Sequence, residues 1–118
     1  MGNFQKLRVW QLSKNLAVDI YKLTKSSKFS RDFGMIDQIQ RAAVSISANI
    51  AEGDELGTNR QSIRHFYIAK GSAAELQTLL TISNEIDYIN RETLDSLYNE
   101  CNIISVMLTK LIKARGEE

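Results

Sequence analysis

Apolar residues recur every three or four positions in four successive segments, the repeat that places them along one side of a helix. The first segment runs from about Val9 to Ser26. Leu12, Leu16, Ile20 and Leu23 form its stripe, Trp10, Ala17 and Tyr21 widen it, and Lys14, Lys22 and Lys25 lie on another side. The second spans about Gly34 to Ala51, with Ile36, Ile39, Ala43, Ile46 and Ile50 inward. Its small residues, Ala42, Ser47 and Ala48 among them, permit close helix approach and predict a central position. The third starts from a cap at Thr58 or Asn59 and continues to about Asn84, with Ile63, Phe66, Ala73 and Leu80 tracing overlapping stripes. The fourth follows a cap at Asn90 and reaches about Ala114, its stripe being Leu94, Leu97, Cys101, Ile104, Leu108 and Leu111.

The breaks between these segments are short. Ser26 to Ser30 closes the first helix, with Phe29 expected to fold back on the core. The run Glu52 to Gly57 closes the second, where Gly53 and Gly57 supply the left-handed geometry of a helix stop and Asp54 and Glu55 sit in the turn. Connections of this length force consecutive helices to reverse direction. The pattern predicts an all-α, antiparallel up-down-up-down four-helix bundle forming a single domain over residues 1–118.

Composition adds little to the fold but narrows the setting. The chain has 118 residues, 43% hydrophobic and 25% charged, with no proline. These are the proportions of an ordinary globular protein. One cysteine, Cys101, excludes an internal disulfide framework and suits a reducing cytosol. The first residues lack the apolar run of a secretory signal, and no window is long and apolar enough to span a bilayer, so a cytoplasmic protein without membrane contact is expected.

Charge is uneven. Residues 1–28 carry Lys6, Arg8, Lys14, Lys22, Lys25 and Lys28 against Asp19 alone, a local charge of +5 within a chain of net charge +1. A basic first helix on a mildly acidic body points to an anionic partner, and these six cations are the candidate nucleic-acid contacts. A solvated lysine face is the plainer reading.

A second polar pattern lies across helices two and three. Arg41, Ser45, Asn49 and Glu52 share one face of helix two, and Arg64, Ser72 and Glu75 share one of helix three. In a reversing hairpin, Arg41 faces Glu75 and Glu52 faces Arg64, since both pairs have the same index sum. The expectation is a seam that fixes register, with an ion pair at each end and an Asn49 hydrogen bond between them; a ligand-binding seam is the alternative. His65 is the sole histidine and is read as a surface or hairpin residue. No carboxylate cluster has metal-ligand spacing, no Gly-Lys-Ser/Thr follows Gly53 or Gly57, and no serine or cysteine has a nucleophile-elbow context. No metal, cofactor or catalytic residue is expected.

The stretch Gln38-Ile39-Gln40-Arg41-Ala42-Ala43-Val44-Ser45-Ile46-Ser47-Ala48-Asn49-Ile50-Ala51-Glu52-Gly53 resembles the signature of bacterial four-helix-bundle proteins encoded within intervening sequences of 23S ribosomal RNA genes. Leu7-Arg8-Val9-Trp10, Ile20-Tyr21-Lys22-Leu23-Thr24 and Phe66-Tyr67-Ile68-Ala69-Lys70-Gly71-Ser72-Ala73-Ala74-Glu75-Leu76 extend the likeness over nearly the whole chain. The resemblance implies a four-helix bundle assembled as a homopentameric ring. It also implies kinship with the accessory protein of diversity-generating retroelements, a basic pentamer that works with a reverse transcriptase and its RNA. Ser30 and Ser47 stand where the family commonly has proline, and the near-neutral charge departs from that strongly basic accessory protein.

Three function classes follow. The first is a non-enzymatic oligomeric binding protein, an accessory factor for RNA or a ribonucleoprotein, partnered by itself and by RNA or a nucleic-acid-processing protein. The second is a protein-interaction scaffold without nucleic acid. The third is a small-molecule binder or enzyme using an intersubunit pocket along the polar seam.

Overall fold

The computed structural model describes residues 3–26, 28–56 and 58–116. A short 3-10 turn, Phe4–Lys6, precedes α1 (Arg8–Leu23), α2 (Phe33–Glu55), α3 (Asn59–Glu85) and α4 (Arg91–Ala114). Each later helix begins at a side chain that accepts a hydrogen bond from an N–H of the first turn, which would otherwise lack a partner. Asp32 accepts from Met35, Thr58 from Gln61 and Asn90 from Thr93. Asp87, at φ 66°, lies between α3 and α4, a backbone region that aspartate tolerates better than most residues.

The helices form a four-helix bundle with extents of 44 × 21 × 21 Å. Close contacts run α1 to α2, α2 to α3, α3 to α4 and α4 back to α1. Helix α2 is therefore not central as its small residues suggested: each helix has two neighbours around a square. The small residues instead bring α2 and α3 into the most extensive contact. Along that pair, partner numbers on α3 fall as numbers on α2 rise, with Ser45 meeting Ser72, Asn49 meeting His65 and Gly53 meeting Ser62.

The core is one cluster. Leu16 and Ile20 of α1, Ile39, Ile46 and Ile50 of α2, Phe66, Leu76 and Leu80 of α3, and Cys101, Ile104 and Leu108 of α4 are wholly or almost wholly buried. Phe29, from the α1–α2 connection, folds into this core and is 0% exposed. Tyr21 is not part of the α1 stripe; it is 44% exposed, and the buried arc turns instead toward Val9, Ser13 and Ala17. Buried hydroxyls on helices return their hydrogen to the preceding turn, as Ser13 does to the Val9 carbonyl and Ser83 to that of Leu79. Among the described residues no buried side-chain nitrogen or oxygen lacks a partner.

The second helix runs past its expected end. Gly53 is not the stop; it lies inside α2, where a Cβ would meet the Phe66 ring at 2.8 Å. A glycine here serves close packing between helices rather than reversal of the chain. Asp54 and Glu55 are accordingly helical, not part of a turn. Ser27 and Gly57, assigned to the first two connections, lie outside the described residues.

Candidate nucleic-acid interface and polar seam

The six basic residues of the first segment all lie at exposed positions but do not make one patch. Lys6 is in the 3-10 turn, Arg8, Lys14 and Lys22 are on α1, and Lys25 and Lys28 follow it. They are strung along the molecule, since a helix the length of α1 rises about 24 Å at ~1.5 Å per residue. Three of them have different surroundings. Arg8 borders an apolar groove of about 300 Å³ lined by Leu7, Val9, Met107, Leu111 and Ala114, with Lys110 on its other side. Lys22 borders a depression of about 510 Å³ whose other charged groups are Asp19, Glu92 and Glu100. Burial, and then the nearby Asp19 carboxylate, push the Glu100 carboxyl above its ordinary pKa. Lys28 borders a polar cavity of about 420 Å³ with Ser30, Arg31, Asp32 and Tyr88.

Sequence periodicity missed Lys110 and Arg31 because it treats each segment alone. Lys110 joins Arg8 only because α4 packs beside α1, and Arg31 joins Lys28 only because the connection is held in a fixed turn.

That turn is well anchored. Phe29 is buried, and its ring meets Tyr88 edge-on at a centroid distance of 4.9 Å. Tyr88 donates to Asp32 Oδ2 at 2.6 Å, while Asp32 Oδ1 accepts from the Met35 N–H at 3.0 Å. These two bonds, the Tyr88 hydroxyl foremost, hold the Asp32 carboxyl below its ordinary pKa, and the same bond raises that of Tyr88.

On the α2–α3 face the neutral polar residues meet and the charged ones do not. The Ser45 and Ser72 hydroxyls are 2.8 Å apart. Asn49 Nδ2 donates to the Ser45 carbonyl at 2.9 Å and to Ser45 Oγ at 3.1 Å. Asn49 Oδ1 lies 3.0 Å from His65 Nδ1. With the amide nitrogen committed to Ser45, that oxygen is an acceptor, which assigns the proton to Nδ1 of the imidazole.

The two predicted ion pairs are absent among the described residues. Arg41 reaches Asp37 on its own helix at 3.9 Å, and both side chains are largely in water. Glu52, Arg64 and Glu75 are exposed, with Arg64 beside a hollow of about 320 Å³ that His65, Gln61, Leu56 and Ile68 also line. Charged ends keep their hydration when a short rotation about the helix axis allows it, because desolvation offsets much of the Coulomb gain. The half-buried seam is left to hydroxyl, amide and imidazole groups. His65 belongs to it and is not simply a surface residue.

Another charged contact is buried, where the pattern of single helices shows nothing. Arg115, directly after α4, donates to Asp54 Oδ1, whose side chain is 5% exposed, and its guanidinium lies 5.3 Å from the centre of the Phe66 ring. Cys101 is enclosed in the core, and burial, followed by the neighbouring Glu100 charge, pushes its thiol up to about 12. Thiolate chemistry at neutral pH is thereby suppressed.

Among the described residues no group of three or more His, Cys, Asp or Glu side chains is placed to hold a metal ion. No described helix is long and apolar enough to cross a membrane.

A search of curated proteins finds no match. Among solved structures the chain is similar to a protein of unknown function of the S23 ribosomal protein family from Bacteroides thetaiotaomicron VPI-5482. The two share 31% sequence identity, covering 89% of this chain and 98% of that one, with a TM-score of 0.81. Residues 5–110 match the model of the 23S rRNA-intervening sequence protein family. A match over most of the chain, together with a bundle of the same shape at that identity, settles the lineage: the chain belongs to the 23S rRNA-intervening sequence protein family.

Proposed function

We propose that this protein is a non-enzymatic, cytoplasmic, self-assembling binding protein that acts as an accessory factor on RNA or a ribonucleoprotein through phosphate contacts. The observation that carries the reading is the set of exposed cations along α1 and its following turn, Lys6, Arg8, Lys14, Lys22, Lys25 and Lys28, none of which makes an ion pair among the described residues. Cations outside any ion pair at spaced positions suit a phosphate backbone, Lys22 least among them because Asp19, Glu92 and Glu100 line its depression. The relation to the accessory protein of diversity-generating retroelements belongs to the same proposal.

The assembly is part of it. An antiparallel up-down-up-down bundle is supported by the falling partner numbers between α2 and α3. A homopentameric ring would repeat a modest basic surface five times and turn it into a strong one. Binding of labelled single-stranded RNA across a salt series tests the function: affinity falls steeply with salt. No binding at low salt overturns the reading. Mass measurement in solution tests the ring independently.

A second reading, a protein-interaction scaffold without nucleic acid, draws on exposed apolar residues. Val44, Tyr67 and Ile68 on α2 and α3, and Ile103 and Val106 on α4, are each more than 40% exposed. Retention of one protein partner after nuclease treatment, with no RNA affinity, would favour it.

A further inference from the structure

We propose that the turn between α1 and α2 is a binding site for a phosphate group, gripped by Lys28 and Arg31 over the open polar hollow that they line with Ser30, Asp32 and Tyr88. The proposal rests on the RNA reading above and places one of its phosphates. Both cations are exposed and border the same cavity of about 420 Å³, and neither makes an ion pair among the described residues. Asp32 lines the same hollow and keeps its negative charge, so the site sets two cations against one carboxylate whose oxygens are both already hydrogen-bonded. Asp32 spends one carboxylate oxygen on the Tyr88 hydroxyl and the other on the Met35 N–H.

Position is as telling as charge. Here the backbone beneath the two cations is fixed by the buried Phe29 between them and by the Phe29 carbonyl, which accepts from the Asp32 N–H at 2.9 Å. The Asp32–Tyr88 bond then ties the turn to the α3–α4 connection. An ammonium and a guanidinium fork three residues apart on an anchored turn, bordering a polar hollow, match the charge and oxygens of a phosphate. The apolar groove beside Arg8 and the acidic depression beside Lys22 lack that match.

The phosphate can come from an RNA backbone or from a free anion, and the experiment separates them. Anisotropy of a labelled single-stranded RNA is followed across a salt series for wild type, for Lys28→Ala/Arg31→Ala, and for Arg41→Ala/Arg60→Ala, which removes equal charge elsewhere. The notch variant should lose about ten-fold or more in affinity at low salt, and its log–log salt slope should fall by about 1.4, two single-strand phosphate contacts' worth. Arg31→Lys, keeping charge without the fork, should fall between. A notch variant that binds like the charge-matched control overturns the site while leaving the RNA reading intact. Should wild type bind no RNA, the RNA reading falls, and inorganic phosphate decides the site. Amide NMR shifts at residues 28–32 on phosphate addition, lost in the double variant, would sustain it; their absence would overturn it. Unchanged circular dichroism and melting of each variant exclude misfolding as the cause.

Discussion

Arg115 and Asp54, 61 residues apart in the chain, form an ion pair that ties the end of α4 to the last turn of α2. The partners are unequally placed, since the Asp54 side chain is 5% exposed and that of Arg115 is 24%. Arg115→Ala strands a nearly dry carboxylate and should cost about 3 kcal/mol. Asp54→Ala leaves a guanidinium that still covers Phe66 and reaches water, and should cost about 1–2 kcal/mol. Urea unfolding of the two variants measures the order, and a reversed order would refute the account.

The seam between α2 and α3 makes the opposite prediction for charge. Asn49→Ala removes the acceptor of His65 Nδ1 and the donor to Ser45, and should destabilise by about 1–2 kcal/mol. Arg41→Ala and Glu75→Ala, at exposed positions, should each change stability by less than about 0.5 kcal/mol. A large effect at Arg41 or Glu75 in thermal melts would restore the ion-pair view.

Two helical glycines should respond with opposite sign. At Gly71 a Cβ has nothing within 4 Å, so Gly71→Ala should stabilise by about 0.5–1 kcal/mol through lower backbone entropy in the unfolded chain. At Gly53 the same methyl meets a wholly buried phenylalanine ring at 2.8 Å. Overpacking there outweighs the helix gain, and Gly53→Ala should destabilise by about 1–3 kcal/mol. Calorimetry of both variants decides it.

The Asp32–Tyr88 bond should be visible in the pH dependence of stability. Asp32 titrates below 3.8 in the folded state, so its contribution is whole above that value and is lost as pH falls through the lowered pKa. Tyr88 titrates above 10.0, so its contribution is whole below that value and is lost as pH rises through the raised pKa. The gap in melting temperature between wild type and Tyr88→Phe should be widest across the plateau and shrink at both extremes. A gap independent of pH would show that the hydroxyl does not bond the carboxylate.

What could be read in advance, and what could not, divides along locality. Asn90 was identifiable as a cap, and Thr58 as one of two candidates with Asn59, because a cap bonds its own first turn, and the Leu16–Ile20 stripe because helical period alone decides which side is apolar. Gly53 misled because its backbone freedom is a local property while its contact with Phe66 is not. The reversing hairpin was legible but its register was not, since the pairs that meet, Ser45 with Ser72 and Asn49 with His65, do not keep one index sum. Arg41 and Glu75 are turned out to water instead of toward each other. Arg115–Asp54 had no local signal, because α4 and α2 are not neighbours in the chain.

Phe29 and Tyr88 come from different connections, yet their rings are in contact and a hydroxyl–carboxylate bond lies beside them. The two loops at that pole are therefore sewn into a single cooperative patch. Amide exchange there should show both opening together, at one shared rate, although either taken alone would fray like any surface loop.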